Sequence, residues 1–236
     1  MMRLRSIIGD MELTFLGNGD SCNYIAGNNS AFFKRDRNLF IFDMGQSIFA
    51  KILYLKLLDN IDNVVIFITH LHLDHIGSLG EALTYFKVFN KNISFKIIYP
   101  SFSLLKDALK LYPLEEKDVI TWIEGNILGV NFVAKEARHI ANSYCYFIGY
   151  DSSRFYYSGD NSELNPLALD MLRNNKLDYF YQDVSISSSS YHIGYEELKR
   201  NIETKYRDKL ILMHIPSSFD EIKAKEDGFR ISSLYK

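Results

Sequence analysis

The sequence predicts an α/β (α+β) protein in which two facing sheets carry helices on their outer sides, a four-layer αββα sandwich. Three observations carry that expectation. Short apolar runs in the first half of the 236-residue chain give way to helices alternating with strands, and the second half repeats the order. The 17 Phe and 16 Tyr supply enough large rings to fill the space between two sheets. Finally, no repeat or linker divides the chain, and the run Ser185, Ser187 to Ser190 is the single biased stretch, so residues 11–236 read as one domain. Patterning begins only at Met11, and residues 1–10 are expected to form a loose tail.

Taken in order, residues 13–16 read as a strand ending in the turn-rich loop Gly17-Asn18-Gly19-Asp20-Ser21. Residues 31–33 and 39–42 form a hairpin across a polar turn. Asp43 closes its second strand, either as a turn residue or to orient a ligand histidine, and residues 48–58 have helical spacing. The apolar run 64–68 is a strand. Helical spacing returns over 79–89, a strand over 95–99, and a helix capped by Ser101 runs to about Leu111. Strands are then expected over 119–123, 130–134, 144–150 and 154–157. Asn165-Pro166 starts a helix, the one as N-cap and the other at the first helical position. A strand over 177–183, a helix over 195–206, a core strand over 209–213, a short helix and an edge strand near Phe229 to Ile231 complete the chain.

Composition excludes several classes. A net charge of −2 argues against a protein that grips long nucleic acid through its phosphates. Cys22 and Cys145 form no C-x-x-C pair, so neither a disulfide framework nor a sulfur-rich metal site is expected, and both read as small buried apolar groups. The N-terminal apolar run is too short for a signal sequence and no stretch is long enough to span a bilayer, which makes the cytoplasm the expected compartment with no membrane partner.

The chemistry concentrates in Thr69-His70-Leu71-His72-Leu73-Asp74-His75-Ile76-Gly77, directly after the 64–68 strand. Residues two apart in an extended segment point the same way, so His70 and His72 can reach one ion. Asp74 and His75 lie where the chain turns into a helix and can address a second. Crowding four such groups is costly unless something binds them. All six histidines, His70, His72, His75, His139, His192 and His214, fall at strand ends or in turns, and Asp160 follows Ser158-Gly159 in the same manner.

These residues resemble the metallo-β-lactamase superfamily, whose H-x-H-x-D-H signature is matched by His70, His72, Asp74 and His75, with His139, Asp160 and His214 following in order. The resemblance implies the metallo-β-lactamase fold and two divalent ions. His70, His72 and His139 hold one ion, Asp74, His75 and His214 hold the other, and Asp160 bridges them. Imidazole and carboxylate donors favour zinc, with manganese or iron as alternatives. Asp183 and His192 resemble the acidic and histidine motifs of the phosphodiesterase branch, which contains tRNase Z and small cyclic phosphodiesterases. There the histidine protonates the leaving oxygen, the acidic residue orients it, and a metal-bridging hydroxide is the nucleophile, which Asp74 helps to position.

The arm with which tRNase Z enzymes clamp tRNA has no counterpart, because only 20 residues separate His139 from Asp160. A small phosphodiester, whether cyclic or linear, is therefore the expected substrate. Hydrolysis of a lactone, ester or thioester, tRNA 3′ processing and non-catalytic ligand binding are the alternatives, and a homodimer is the oligomer the resemblance allows. Pocket walls are expected from residues 17–21 and 185–191 and from the segment around Ser217.

Overall fold

The computed structural model describes residues 12–235, so the expected loose tail lies outside the described residues. Strands β1 (Thr14–Gly17), β2 (Ser30–Arg35) and β3 (Asn38–Phe42) pair antiparallel. They are followed by α1 (Ile48–Tyr54), β4 (Asn63–Phe67), α2 (Leu73–Ile76), α3 (Leu79–Thr84), β5 (Ser94–Ile98), α4 (Phe102–Ala108) and β6 (Val119–Ile120), with β3 to β6 parallel. The second half begins with β7 (Glu124–Ile127), β8 (Val130–Glu136), β9 (Tyr144–Tyr150) and β10 (Ser153–Tyr157), again antiparallel. After it come α5 (Pro166–Arg173), β11 (Tyr179–Asp183), α6 (Tyr195–Asn201), β12 (Leu210–Met213), α7 (Glu221–Glu226) and β13 (Arg230–Ile231), with β10 to β13 parallel. One sheet has the order β1-β2-β3-β4-β5-β6 and the other β13-β12-β11-β10-β9-β8-β7. Each half thus runs from antiparallel to parallel pairing, and parallel neighbours need a crossover, which places helices on the outer faces.

Side-chain alternation builds the layers. On β3, Leu39 and Ile41 face α1 and α3, where they meet Ile48, Ile52 and Leu83. Phe40 and Phe42 point the other way, into a core shared by both sheets. Phe42 lies 4.9 Å from the Tyr157 ring, and Phe33 stands edge-on to Phe155 at 6.1 Å. Burying each such ring contributes about 1.5–3 kcal/mol. Leu172, Leu198 and Ala224 from α5, α6 and α7 cover the far face of the second sheet over Phe180 and Leu212. The β9–β10 hairpin occupies the interval between His139 and Asp160.

Several boundaries differ from the expectation. Helix α1 stops at Tyr54 because Lys56 takes a left-handed conformation at φ 52°. The helix expected over 79–89 is α3 followed by a π-helical turn at Tyr85–Phe89. Ser101 occupies the N-cap position of α4 without a capping bond, and the helix ends at Ala108. Of the strand expected over 119–123 only Val119–Ile120 forms, and β7, which starts in the other sheet at Glu124 with the polar sequence Glu-Gly-Asn-Ile, has no apolar pattern to announce it. Helix α6 ends at Asn201, giving way to a 3-10 segment at Thr204–Lys209. Of the two cysteines only Cys145 is buried; Cys22 is exposed on the loop after β1. Among the described residues no helix is long and apolar enough to cross a membrane.

Candidate metal centre

The polar residues gather where strands of both sheets end. Thr69 and His70 follow β4, Asp160 follows β10, Asp183 ends β11, and His214 follows β12. These are carboxyl ends of parallel strands, where open α/β sheets bind ligands. Cross-sheet bonds hold the ends together. The Tyr144 amide donates to the Thr69 carbonyl at 2.8 Å, and the Tyr146 hydroxyl donates to the Ile68 carbonyl at 2.7 Å. Gly159 sits at φ 57°, and a Cβ there would come within 2.8 Å of Thr69 Cβ. Gly45 is equally confined, since a Cβ would lie 2.0 Å from the Asp74 carbonyl oxygen. Asp43 and His214 adopt left-handed backbones at φ 60° and 53°, conformations that cost a non-glycine residue of order 1–3 kcal/mol.

Two sets of ligand atoms converge. In the first, His70 Nε2 lies 2.9 Å from His72 Nδ1, and His139 Nε2 lies 3.3 Å from the same nitrogen. Asp160 Oδ2 closes the set at 3.8 Å from His70 and 3.7 Å from His139. The second set places Asp74 Oδ2 at 3.3 Å from both His75 Nε2 and His214 Nε2, with Asp160 Oδ1 at 3.3 and 3.6 Å from these nitrogens. Asp160 therefore turns one oxygen to each set.

The donor set fits two divalent ions. Tetrahedral bonds of 2.0–2.1 Å put neighbouring ligand atoms ~3.3 Å apart. His75 Nε2 and Asp160 Oδ1 are buried without a hydrogen-bond partner, an arrangement costly for groups that nothing binds. Three of the histidines have their second nitrogen beside a polar partner, as metal-ligating histidines generally do. His75 Nδ1 donates to Asp43 Oδ2 at 2.9 Å, His139 Nδ1 donates to the Tyr191 carbonyl at 2.9 Å, and His70 Nδ1 lies 3.2 Å from Thr69 Oγ1. Asp43 thus takes the orienting role rather than that of a plain turn residue, and it also accepts from the Thr69 amide at 2.8 Å.

The electrostatics follow from burial and pairing. Burial opposes ionisation of Asp74, yet the hydrogen bond from His214 and the neighbouring His75 and His214 imidazoles hold its carboxyl well below the usual range. Burial lowers His75 while the Asp160 and Asp43 carboxylates outweigh it, and in the metal-free protein the net shift is strongly upward.

Beside these sets stands the pair Asp183 and His192, bonded through Nδ1 at 3.0 Å. Both also lie within 4.8 Å of ligand atoms on Asp160 and His214. Asp183 Oδ1 also accepts from Gln182 Nε2 at 2.7 Å, so both carboxylate oxygens of Asp183 are taken by neighbouring side chains. Burial pushes the Asp183 carboxyl up to about 6 against the pull of His192. On His192, burial pulls down, and the bond to Asp183 with the charge of Asp160 raises it overall.

A cavity of about 370 Å³ opens over this floor, lined by Ser21, His72, Asp74, His139, Ile140, Asp160, Tyr191, His192 and His214. The loops at 17–21 and 185–191 each contribute a wall residue. The segment around Ser217 does not, and Ser218 lines a separate cavity with Phe219 and Tyr195. Sequence reasoning gave no role to Gln182, to the Tyr191 carbonyl or to Asn29, whose Oδ1 accepts from the His214 amide at 3.2 Å. Such contacts depend on strand ends meeting in space and leave no local pattern.

A family model described as "Anti-Pycsar protein Apyc1" matches residues 11–103 and 101–232. The chain belongs to the anti-Pycsar protein Apyc1 family. The Apyc1 protein of Bacillus phage vB_BsuM-Goe3 is 25% identical over 94% of this chain and 95% of its own length. Two solved structures share the fold. The metallo-β-lactamase fold protein YhfI from Bacillus subtilis superposes with a TM-score of 0.72 at 14% identity, covering 94% of this chain and 96% of that one. A diphosphatase from the PhnP family gives 0.71 at 17% identity, covering 95% of both chains. This Apyc1-family chain thus has the metallo-β-lactamase fold, with the α+β architecture of two sheets and outer helices, and shares it with metal-dependent hydrolases.

Proposed function

We propose that the protein is a dinuclear metal-dependent phosphodiesterase, with zinc as the favoured ion, that opens a small cyclic phosphodiester of the nucleoside cyclic phosphate class. The observation that carries this reading is the placement of His192, oriented by Asp183 at 3.0 Å, against the two ligand sets. The family's designation as anti-Pycsar proteins is compatible with degradation of a cyclic nucleotide.

Divalent ions held by the two sets supply Lewis acidity toward phosphoryl oxygens and lower the pKa of water. His70, His72 and His139 would hold one ion and Asp74, His75 and His214 the other, with Asp160 offering a carboxylate oxygen to each set. His192 donates its Nε2 proton to the departing ester oxygen, and Asp183 keeps that nitrogen aimed into the cavity. Water adds oxygen to phosphorus, the P–O ester bond breaks, and the product is a linear phosphomonoester. A lactone or ester hydrolase would use the same ions and would also expel an alkoxide, so the donor alone does not separate the two, and the family's designation favours the phosphodiester.

His192→Ala is expected to keep both metals and lose activity on a cyclic alkyl ester by about 10²–10⁴-fold, the usual contribution of a general acid. The loss on an aryl phosphodiester should be much smaller, because its leaving group departs unprotonated. Equal losses on the two substrates would count against the proton-donor role.

A further inference from the structure

We infer that Tyr191 is the specificity-determining residue of this site, offering its ring as the face on which the planar base of the substrate stacks. The inference rests on the phosphodiesterase reading and adds to it the contact that recognises the organic group.

The walls of the cavity divide by chemistry. His72, Asp74, His139, Asp160, His192 and His214 belong to the ligand sets or the proton donor, which leaves Ser21, Ile140 and Tyr191. No Lys or Arg is among the lining residues, so recognition beyond the phosphate falls to uncharged surface. Tyr191 is the aromatic one of the three, and the residue remains 52% exposed.

Its backbone is fixed although its ring is free. The Tyr191 amide donates to Ser189 Oγ at 3.1 Å, its carbonyl accepts from His139 Nδ1 at 2.9 Å, and the following His192 amide donates to the same Ser189 Oγ at 3.0 Å. The ring stands edge-on to the His139 imidazole, at 5.7 Å between centroids and 76° between planes. One edge thus rests on a ligand histidine while a face remains available to a substrate. An aromatic ring with two rotatable bonds, anchored at its base, gives contact area at little entropic cost. A base stacked there would lie beside the phosphate whose departing ester oxygen His192, the next residue, protonates. Stacking accepts any planar heterocycle and needs no charged partner, in keeping with the uncharged rim.

The test compares turnover of a nucleoside 3′,5′-cyclic phosphate with that of the corresponding base-free methyl riboside 3′,5′-cyclic phosphate. In Tyr191→Ala the ratio of kcat/KM for the first to that for the second should fall about tenfold, through KM, whereas Tyr191→Phe should keep the wild-type ratio. A ratio unchanged in the alanine variant, or an equal fall in the phenylalanine variant, would overturn the inference. The contact is also read without turnover, by calorimetric titration of the nucleotide into zinc-loaded His192→Ala protein with and without Tyr191→Ala. A Kd about tenfold weaker in the double variant supports stacking even if the wild type hydrolyses neither compound, an outcome that would sink the phosphodiesterase reading alone. Equal affinities with hydrolysis intact would sink the stacking role alone, and absence of both binding and hydrolysis would sink both.

Discussion

His192 and Asp183 show how one hydrogen bond orients a side chain. With Nδ1 bonded to Asp183 at 3.0 Å, His192 has Nε2 left over, and since the two ligand sets are complete without it, we read that nitrogen as a proton donor. The pH dependence follows. The donor works only while protonated, so activity should fall as pH rises through the His192 pKa, which its bond to Asp183 raises. Asp183→Asn removes that carboxylate, so the His192 pKa drops and the alkaline limb of the kcat profile should move to lower pH. A limb that stays in place would show that another group sets it. Much of this was legible in the sequence, because Asp183 and His192 stand in recognisable motifs. Gln182 was not: it reads as an ordinary strand residue, and its bond to Asp183 exists only through the packing around the end of β11.

At the scale of elements, the H-x-H-x-D-H stretch was legible because strand, turn and first helical turn together aim four consecutive ligands by local geometry alone. β4 delivers His70, the turn carries His72, and α2 raises Asp74 and His75. Asp160 depends instead on a turn that glycine makes possible. Gly159→Ala would force a side chain into φ 57° against Thr69, costing about 1–3 kcal/mol. For a chain of this size, melting should fall by roughly 2–10 °C, with metal affinity weakened as Asp160 shifts. A variant that melts at the wild-type temperature would show the turn to be tolerant. The less legible elements were those whose pattern is polar or interrupted: β7 pairs through its backbone to β8 without an apolar face, and α6 breaks at Asn201 where helical spacing continues on paper.

For the whole molecule, the two halves repeat one progression of strands, and their ends meet over a single cavity. Neither half completes a ligand set. His70 and His72 from the first half need His139 from the second, and Asp74 and His75 need His214. Metal binding should therefore fasten the two sheets together. Stripping two ions, each present at about a thousandfold its Kd, removes ~4 kcal/mol apiece, so exhaustive chelation should lower the melting temperature by at least about 10 °C. No change on chelation would show that the sets hold nothing of structural weight. The most direct test of the phosphodiesterase assignment is hydrolysis of a nucleoside 3′,5′-cyclic phosphate by zinc-loaded protein in ¹⁸O-water, followed by ³¹P NMR and mass spectrometry. A single linear phosphomonoester carrying one ¹⁸O on phosphorus is predicted. Protein with both metals bound that leaves the cyclic phosphate intact while opening a lactone would contradict it.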